Sequence, residues 1–213
     1  MKKILKTLPL LCLTAVLATS TFVLAQDKKD EKPKEEPKKE KAVVAEVGKA
    51  APVFALKDLD GKEVKLSDYK GKIVVLEWFQ PSCPYCDAGY KEGGNCRTSS
   101  DKLTKDGVVW LLVNSNNAEH PDSKPETNKE FFKAHGVTHN VLLDTDGKVG
   151  RAYGAKTTPH CMVIDAKGSL AYRGAIDNAM EKDAKEKVNY VETAVRELKA
   201  DKPVTTKETR SYG

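Results

Sequence analysis

Signatures of metal and nucleic-acid binding are sparse in this chain. Its 213 residues hold five cysteines and four histidines, with a single CxxC. The usual competitor for a lone CxxC is half of a zinc site. Here neither a second CxxC nor a histidine pair at zinc-finger spacing supplies the other half. Asp87 follows Cys86 where covalent haem attachment needs histidine, which excludes that cofactor. Aromatic residues make up 7% of the chain and none interleave with a basic patch, so nucleic acid is not an implied partner. There is no internal repeat. Charge is close to balanced: 36 Lys+Arg face 31 Asp+Glu, and three of the lysines lie within the first six residues.

What the chain does have is Cys83-Pro84-Tyr85-Cys86. Two thiols at this spacing can close into a disulfide and reopen, carrying two electrons. The preceding run Lys72-Ile-Val-Val-Leu-Glu-Trp-Phe79 is apolar, β-branched and aromatic, and reads as a buried strand ended by Gln80-Pro81-Ser82. Proline is favoured at the first helical position, so Pro84 predicts a helix with Cys83 at its N-terminus. Backbone N–H groups and the helix dipole there stabilise a thiolate, the form that attacks disulfides. A strand-to-helix junction therefore points to redox chemistry rather than to a metal or a structural bridge.

The first residues read as a secretory leader. Lys2, Lys3 and Lys6 form a basic start, Leu8 to Leu24 is mostly apolar, and Val23-Leu24-Ala25 suits cleavage before Gln26. The alternative is an uncleaved anchor, which would be the chain's only membrane contact. Leu11 before Cys12 does not suit a lipoprotein signal. The expected location is exported, in the periplasm or cell envelope, where disulfides persist. Without the three leader lysines the net charge of +5 falls to about +2. After Gln26, residues 27–41 are Lys, Glu, Asp and Pro alone, and 26–41 reads as a charged flexible linker. One domain is expected over 42–203, followed by a polar tail, 204–213.

Within the domain, Pro52 to Leu66 alternates apolar and polar residues around Asp60-Gly61, a hairpin signal. After the cysteines, Gly89, Gly93 and Gly94 interrupt a helix, and Asn95 restarts one to about Lys105. Val108 to Val113 is a second buried strand, 114–127 a polar loop, and 128–135 a helix stopped by Gly136. A short strand at 141–143 and a helical turn at 148–153 follow. Cys161–Asp165 pairs with Leu170–Arg173, and Val188, Val191, Ala194, Val195 and Leu198 line one face of a last helix. Alternating β and α with an antiparallel end implies an α/β fold: a mixed central sheet with helices on both faces and an N-terminal hairpin extension.

This order, with CxxC after the first core strand and Thr158-Pro159 before a late one, resembles the thioredoxin superfamily. Ala51-Pro-Val-Phe-Ala-Leu-Lys-Asp-Leu-Asp-Gly-Lys62, Thr158-Pro-His-Cys-Met-Val-Ile-Asp165 and Tyr172-Arg-Gly-Ala-Ile-Asp177 are similar to its exported redoxin group. That group includes envelope thiol–disulfide oxidoreductases and peroxiredoxins. The resemblance covers about residues 45–200. It implies that Cys83 attacks, Cys86 resolves, and Pro159 is a cis-proline against the active disulfide. Glu77 would be a buried acid relaying a proton to or from Cys86. Pro84, Tyr85, Thr158 and His160 would face substrate, and the Pro-Tyr pair would make the protein less reducing than thioredoxin. Partners would be protein thiols and disulfides and an envelope redox donor, with no cofactor.

Gln80 and Leu76 replace the Thr or Ser and the upstream Pro of peroxiredoxins, which argues against a dedicated peroxidase. Cys83, Cys86 and His160 also suggest a copper-delivery protein on the same fold, although such proteins carry cysteines further apart. Cys161 reads as a buried small hydrophobe. Cys96 reads as a stray helix-face thiol, a third redox thiol or a partner for Cys161. His120, His135 and His139 read as solvated.

Overall fold

The computed structural model describes residues 44–213; the leader and the linker expected at 1–25 and 26–41 lie outside them. The sequence order is β1 (Ala55–Asp58), β2 (Glu63–Lys65), β3 (Val74–Trp78), α1 (Pro84–Tyr90), α2 (Asn95–Lys105), β4 (Val109–Asn114), α3 (Pro125–His135), β5 (Asn140–Leu143), α4 (Lys148–Tyr153), β6 (His160–Ile164), β7 (Leu170–Gly174) and α5 (Tyr190–Lys199). The seven strands form one sheet in the order β2-β1-β5-β4-β3-β6-β7. β3 lies between β4, which is parallel to it, and β6, which is antiparallel. All five of its residues are buried, as a near-continuous apolar strand covered on both faces must be.

Side chains alternate across a strand. Val74, Leu76 and Trp78 enter one core with Phe54, Leu142 and Tyr153 of α4. Val75 and Phe79 enter the other, with Cys86 and Tyr90 of α1, Leu103 of α2, Phe132 of α3 and Val195 of α5. Period two therefore puts Glu77 on the second face, beneath α1 and α2. The N-terminal hairpin extends the sheet beyond β5, pairing Lys57 with Leu143. Its turn is closed by the Asp58 carboxylate, which accepts from the N–H groups of Asp60 and Lys62, with Gly61 at φ +81°.

One boundary moves, and two segments read only as polar prove to be built. Helix α3 begins at Pro125 rather than 128, because a proline without an N–H suits the first turn. The polar loop before it is built, not open: Pro121–Ser123 form a 3₁₀ turn, and buried Asn114 and Asn128 both donate to the Asp122 carbonyl at 2.7 Å. Residues 204–213 are attached as well. Val204 is buried, and the segment runs beside β7, where Arg173 N–H donates to the Lys207 carbonyl and Thr209 N–H to the Arg173 carbonyl. Among the described residues no helix is long and apolar enough to cross a membrane.

Candidate active site

β3 delivers the chain to the rim of the sheet, where Phe79 N–H still donates to the Val113 carbonyl at 3.0 Å. Four residues later Cys83 sits at the N-cap of α1 with extended backbone, and Pro84 opens the helix. Cys83 is half-buried while Cys86, one turn inside, has no exposed surface. Ser82, just ahead of the pair, donates to the buried Asp122 carboxylate at 2.5 Å, which ties the loop before α3 to the site.

The two sulfurs differ in character. The Cys86 thiol donates to the Cys83 sulfur, and the Thr158 side chain and the N–H groups of Cys86 and Tyr85 add to it; together they lower the Cys83 pKa to about 5 against the opposing pull of burial. One contact works the other way: Cys83 Sγ lies 2.9 Å from the Thr158 carbonyl oxygen, which accepts from a thiol and not from a thiolate. Four donors against one acceptor leave the thiolate favoured. Cys86 is pushed well above its ordinary value, first by its hydrogen bond to Cys83, then by burial and by the charge of Glu77. Charge therefore favours the outer sulfur, and the inner one holds its proton.

Glu77 lies fully buried. Its Oε2 accepts from Tyr90 Oη at 2.7 Å and Trp110 Nε1 at 2.9 Å, while Oε1 has no partner in hydrogen-bond alignment. Burial raises its pKa to about 7 against the opposing influence of Tyr90, Cys96 and Trp110. A carboxyl with one unpartnered oxygen, half-ionised near neutrality, can take up or return a proton. Tyr90 and Trp110, which hold it, were not expected from the sequence; Trp110 stands 33 residues away.

The Thr158–Pro159 peptide is cis, and Pro159 is buried. Its carbonyl neighbour Thr158 faces Cys83, as described. Pro84 is exposed on the rim, and so is Tyr85, whose ring meets Tyr212 at 6.0 Å.

The AhpC/TSA family pattern matches residues 47–173. The chain belongs to the AhpC/TSA family. Within the wider group it is 34% identical over 132 residues to the thiol-disulfide oxidoreductase ResA of Geobacillus thermodenitrificans, covering 62% of this chain and 70% of that one. The ResA of Bacillus subtilis is 33% identical over 123 residues, covering 58% and 64%. A solved putative thioredoxin from Neisseria meningitidis superposes with TM-score 0.53 at 28% identity, covering 71% of this chain and 93% of that one. The enzyme class of this AhpC/TSA protein is that of its ResA relatives, thiol–disulfide oxidoreductase on a thioredoxin-like fold.

The remaining sequence candidates of this AhpC/TSA chain fall elsewhere. His160 is buried at the start of β6, opposite Trp78. Its Nδ1 accepts from Lys156 N–H at 3.2 Å, and burial followed by the charges of Arg173 and Lys156 lowers its pKa to about 4. The copper set Cys83, Cys86 and His160 is not assembled: among the described residues no three His, Cys, Asp or Glu side chains converge as a metal site. Cys96 and Cys161 are both fully buried free thiols, and burial holds each well above the ordinary thiol range. The histidines read as solvated are held: His135 stacks on Phe131 at 4.1 Å, His139 meets Ser100 Oγ at 3.1 Å, and His120 Nδ1 accepts from Asp122 N–H. Phe131 and Phe132 give the first two an apolar surface to cover.

Proposed function

We propose that this enzyme exchanges disulfides with proteins outside the cytoplasm, with Cys83 as nucleophile and Cys86 as resolving thiol. The Cys83 thiolate attacks a substrate disulfide, and one substrate sulfur leaves as thiolate. Cys86 passes its proton to Glu77 and attacks the Cys83 sulfur of the mixed disulfide. The second substrate thiolate leaves, and the two electrons now lost from Cys83 and Cys86 reside in the reduced substrate. An envelope redox donor then restores the dithiol; run backwards, the same steps oxidise a substrate. Pro159 and Thr158 offer backbone to the bound chain, with Pro84 and Tyr85 forming the opposite rim. The leader, 1–25, exports the protein, and the linker, 26–41, tethers the domain 42–203.

The observation that carries this reading is the asymmetry of the pair: a half-exposed sulfur ringed by donors beside a fully buried thiol. The test is a titration in defined thiol buffers with disulfides mapped by mass spectrometry. A reversible Cys83–Cys86 bond is expected, together with loss of turnover in Cys83→Ser and a trapped mixed disulfide in Cys86→Ser. Full turnover by Cys83→Ser would end the mechanism.

A further inference from the structure

The polar segment after α5 has a course that the exchange reaction does not explain. It is pinned at Thr209, whose Oγ1 meets Tyr172 Oη at 2.6 Å and accepts from Ala175 N–H at 2.9 Å. Three residues on, the Tyr212 ring packs on Tyr85 of the CPYC rim. Its hydroxyl donates to Asp177 at 2.7 Å and accepts from Asn95 Nδ2 at 3.0 Å. Gly213 then passes so close to Thr158 that a Cβ there would overlap the Thr158 carbonyl oxygen. That is the oxygen in contact with the Cys83 sulfur. Between Thr209 and Tyr212, Arg210 is exposed. A cleft of about 990 Å³ borders the segment, lined by Ser211 and Tyr212 together with Thr157, His160 and Asp177.

We propose that residues 210–213 are a strap seated where a substrate polypeptide lies during exchange, and that the slot filled by Tyr212 accepts an aromatic side chain of that substrate. The inference rests on the exchange reading above and names the class of substrate: an extended segment carrying an aromatic residue, then a glycine, then its reactive cysteine. The slot has the chemistry for one. Its mouth is the face of Tyr85, and its floor is a donor and an acceptor that a phenol satisfies together. Beside it, only main chain fits against Thr158. The strap is also built to leave. Its anchor is Thr209, its single side-chain hold beyond that is Tyr212, and a cleft borders Arg210 and Ser211. A substrate competes with it, so a strap seated nine-tenths of the time lowers apparent affinity about tenfold.

The test uses the full chain as wild type, as Tyr212→Ala, and with residues 211–213 deleted. Each is reduced and reacted with a small aliphatic disulfide and with two disulfide-bonded peptides, one with tyrosine and glycine ahead of the cysteine and one with alanine and glycine there. The expected result is an unchanged rate with the small disulfide and a rise of about tenfold with the tyrosine peptide in both variants. The alanine peptide gains less. An equal or slower rate with the tyrosine peptide in both variants overturns the strap, and equal gains for the two peptides overturn the aromatic slot. Absence of reaction with the small disulfide in every protein overturns the exchange reading itself, which separates the two failures.

Discussion

Glu77 is acidic, central to the sheet and sealed from water, so its ionisation has consequences for stability as well as for proton transfer. Its pKa is raised from 4.5 to about 7 by burial. Below 4.5 the carboxyl is protonated in both folded and unfolded chains and has no differential effect. Between 4.5 and about 7 the folded chain keeps a proton that the unfolded chain has lost, so stability falls as pH rises through that window. Glu77→Gln keeps an acceptor for Tyr90 and Trp110 and cannot titrate. Urea melts of the two oxidised proteins across this range should show the wild type losing stability relative to the variant as pH rises, and the reduced variant should resolve the mixed disulfide more slowly. Equal slopes would remove the buried proton acceptor from the mechanism. That Glu77 faces inward is legible from strand periodicity alone, since Val75 and Phe79 flank it. Its partners are not, because Tyr90 and Trp110 reach it from two other elements.

The break between α1 and α2 is the element-level feature closest to the cysteines. Gly93 has φ +76°, which favours glycine. Gly94 has an ordinary φ, −65°, and is required for a different reason: a Cβ there would overlap the Gly89 carbonyl oxygen and lie 2.6 Å from that of Ala88. Backbone cannot yield as a side-chain tip does, so Gly94→Ala should cost about 1–3 kcal/mol in a denaturant melt. A loss below a few tenths would show that the two helices separate freely. The sequence marks this interruption clearly, as it does the hairpin at Asp60-Gly61, because glycine acts locally. The start of α3 is harder to read, since Pro121 and Pro125 both suit a loop. What makes Pro125 helical is the anchoring of the preceding loop on Asn114 and Asn128, residues that converge only in the folded chain. The docking of 204–213 fails to announce itself for the same reason: Thr209 meets Tyr172 across 37 positions, and its polar neighbours carry no periodicity.

Across the fold as a unit, the reduced and oxidised forms should respond differently to acid. Cys83 has a folded value of about 5 against an ordinary 9.0. Between those values the unfolded reduced chain binds a proton that the folded one does not. Stability from the thiolate is therefore fully present above 9 and is lost as pH falls through about 5. The oxidised protein has no such group, whereas Glu77 is present in both. The difference in melting temperature, reduced minus oxidised, should shrink steadily from pH 9 to pH 5; parallel curves would mean that Cys83 is an ordinary thiol. From the same preference for the reduced form we predict that titration in thiol buffers gives a potential less reducing than the roughly −270 mV of thioredoxin.

The seating of Lys207–Thr209 against β7 has one more effect. A sheet ends in strands whose outward N–H and C=O groups can recruit another chain. At one end β2 is three residues long, with Glu63 and Lys65 exposed on it. At the other, the outward groups of Arg173 are already occupied by the main chain of Lys207 and Thr209. Neither margin offers a long bare strand, so growth of fibrils by strand addition has no template while Thr209 stays in place. A segment too polar to join the core thereby acts as a stopper against polymerisation.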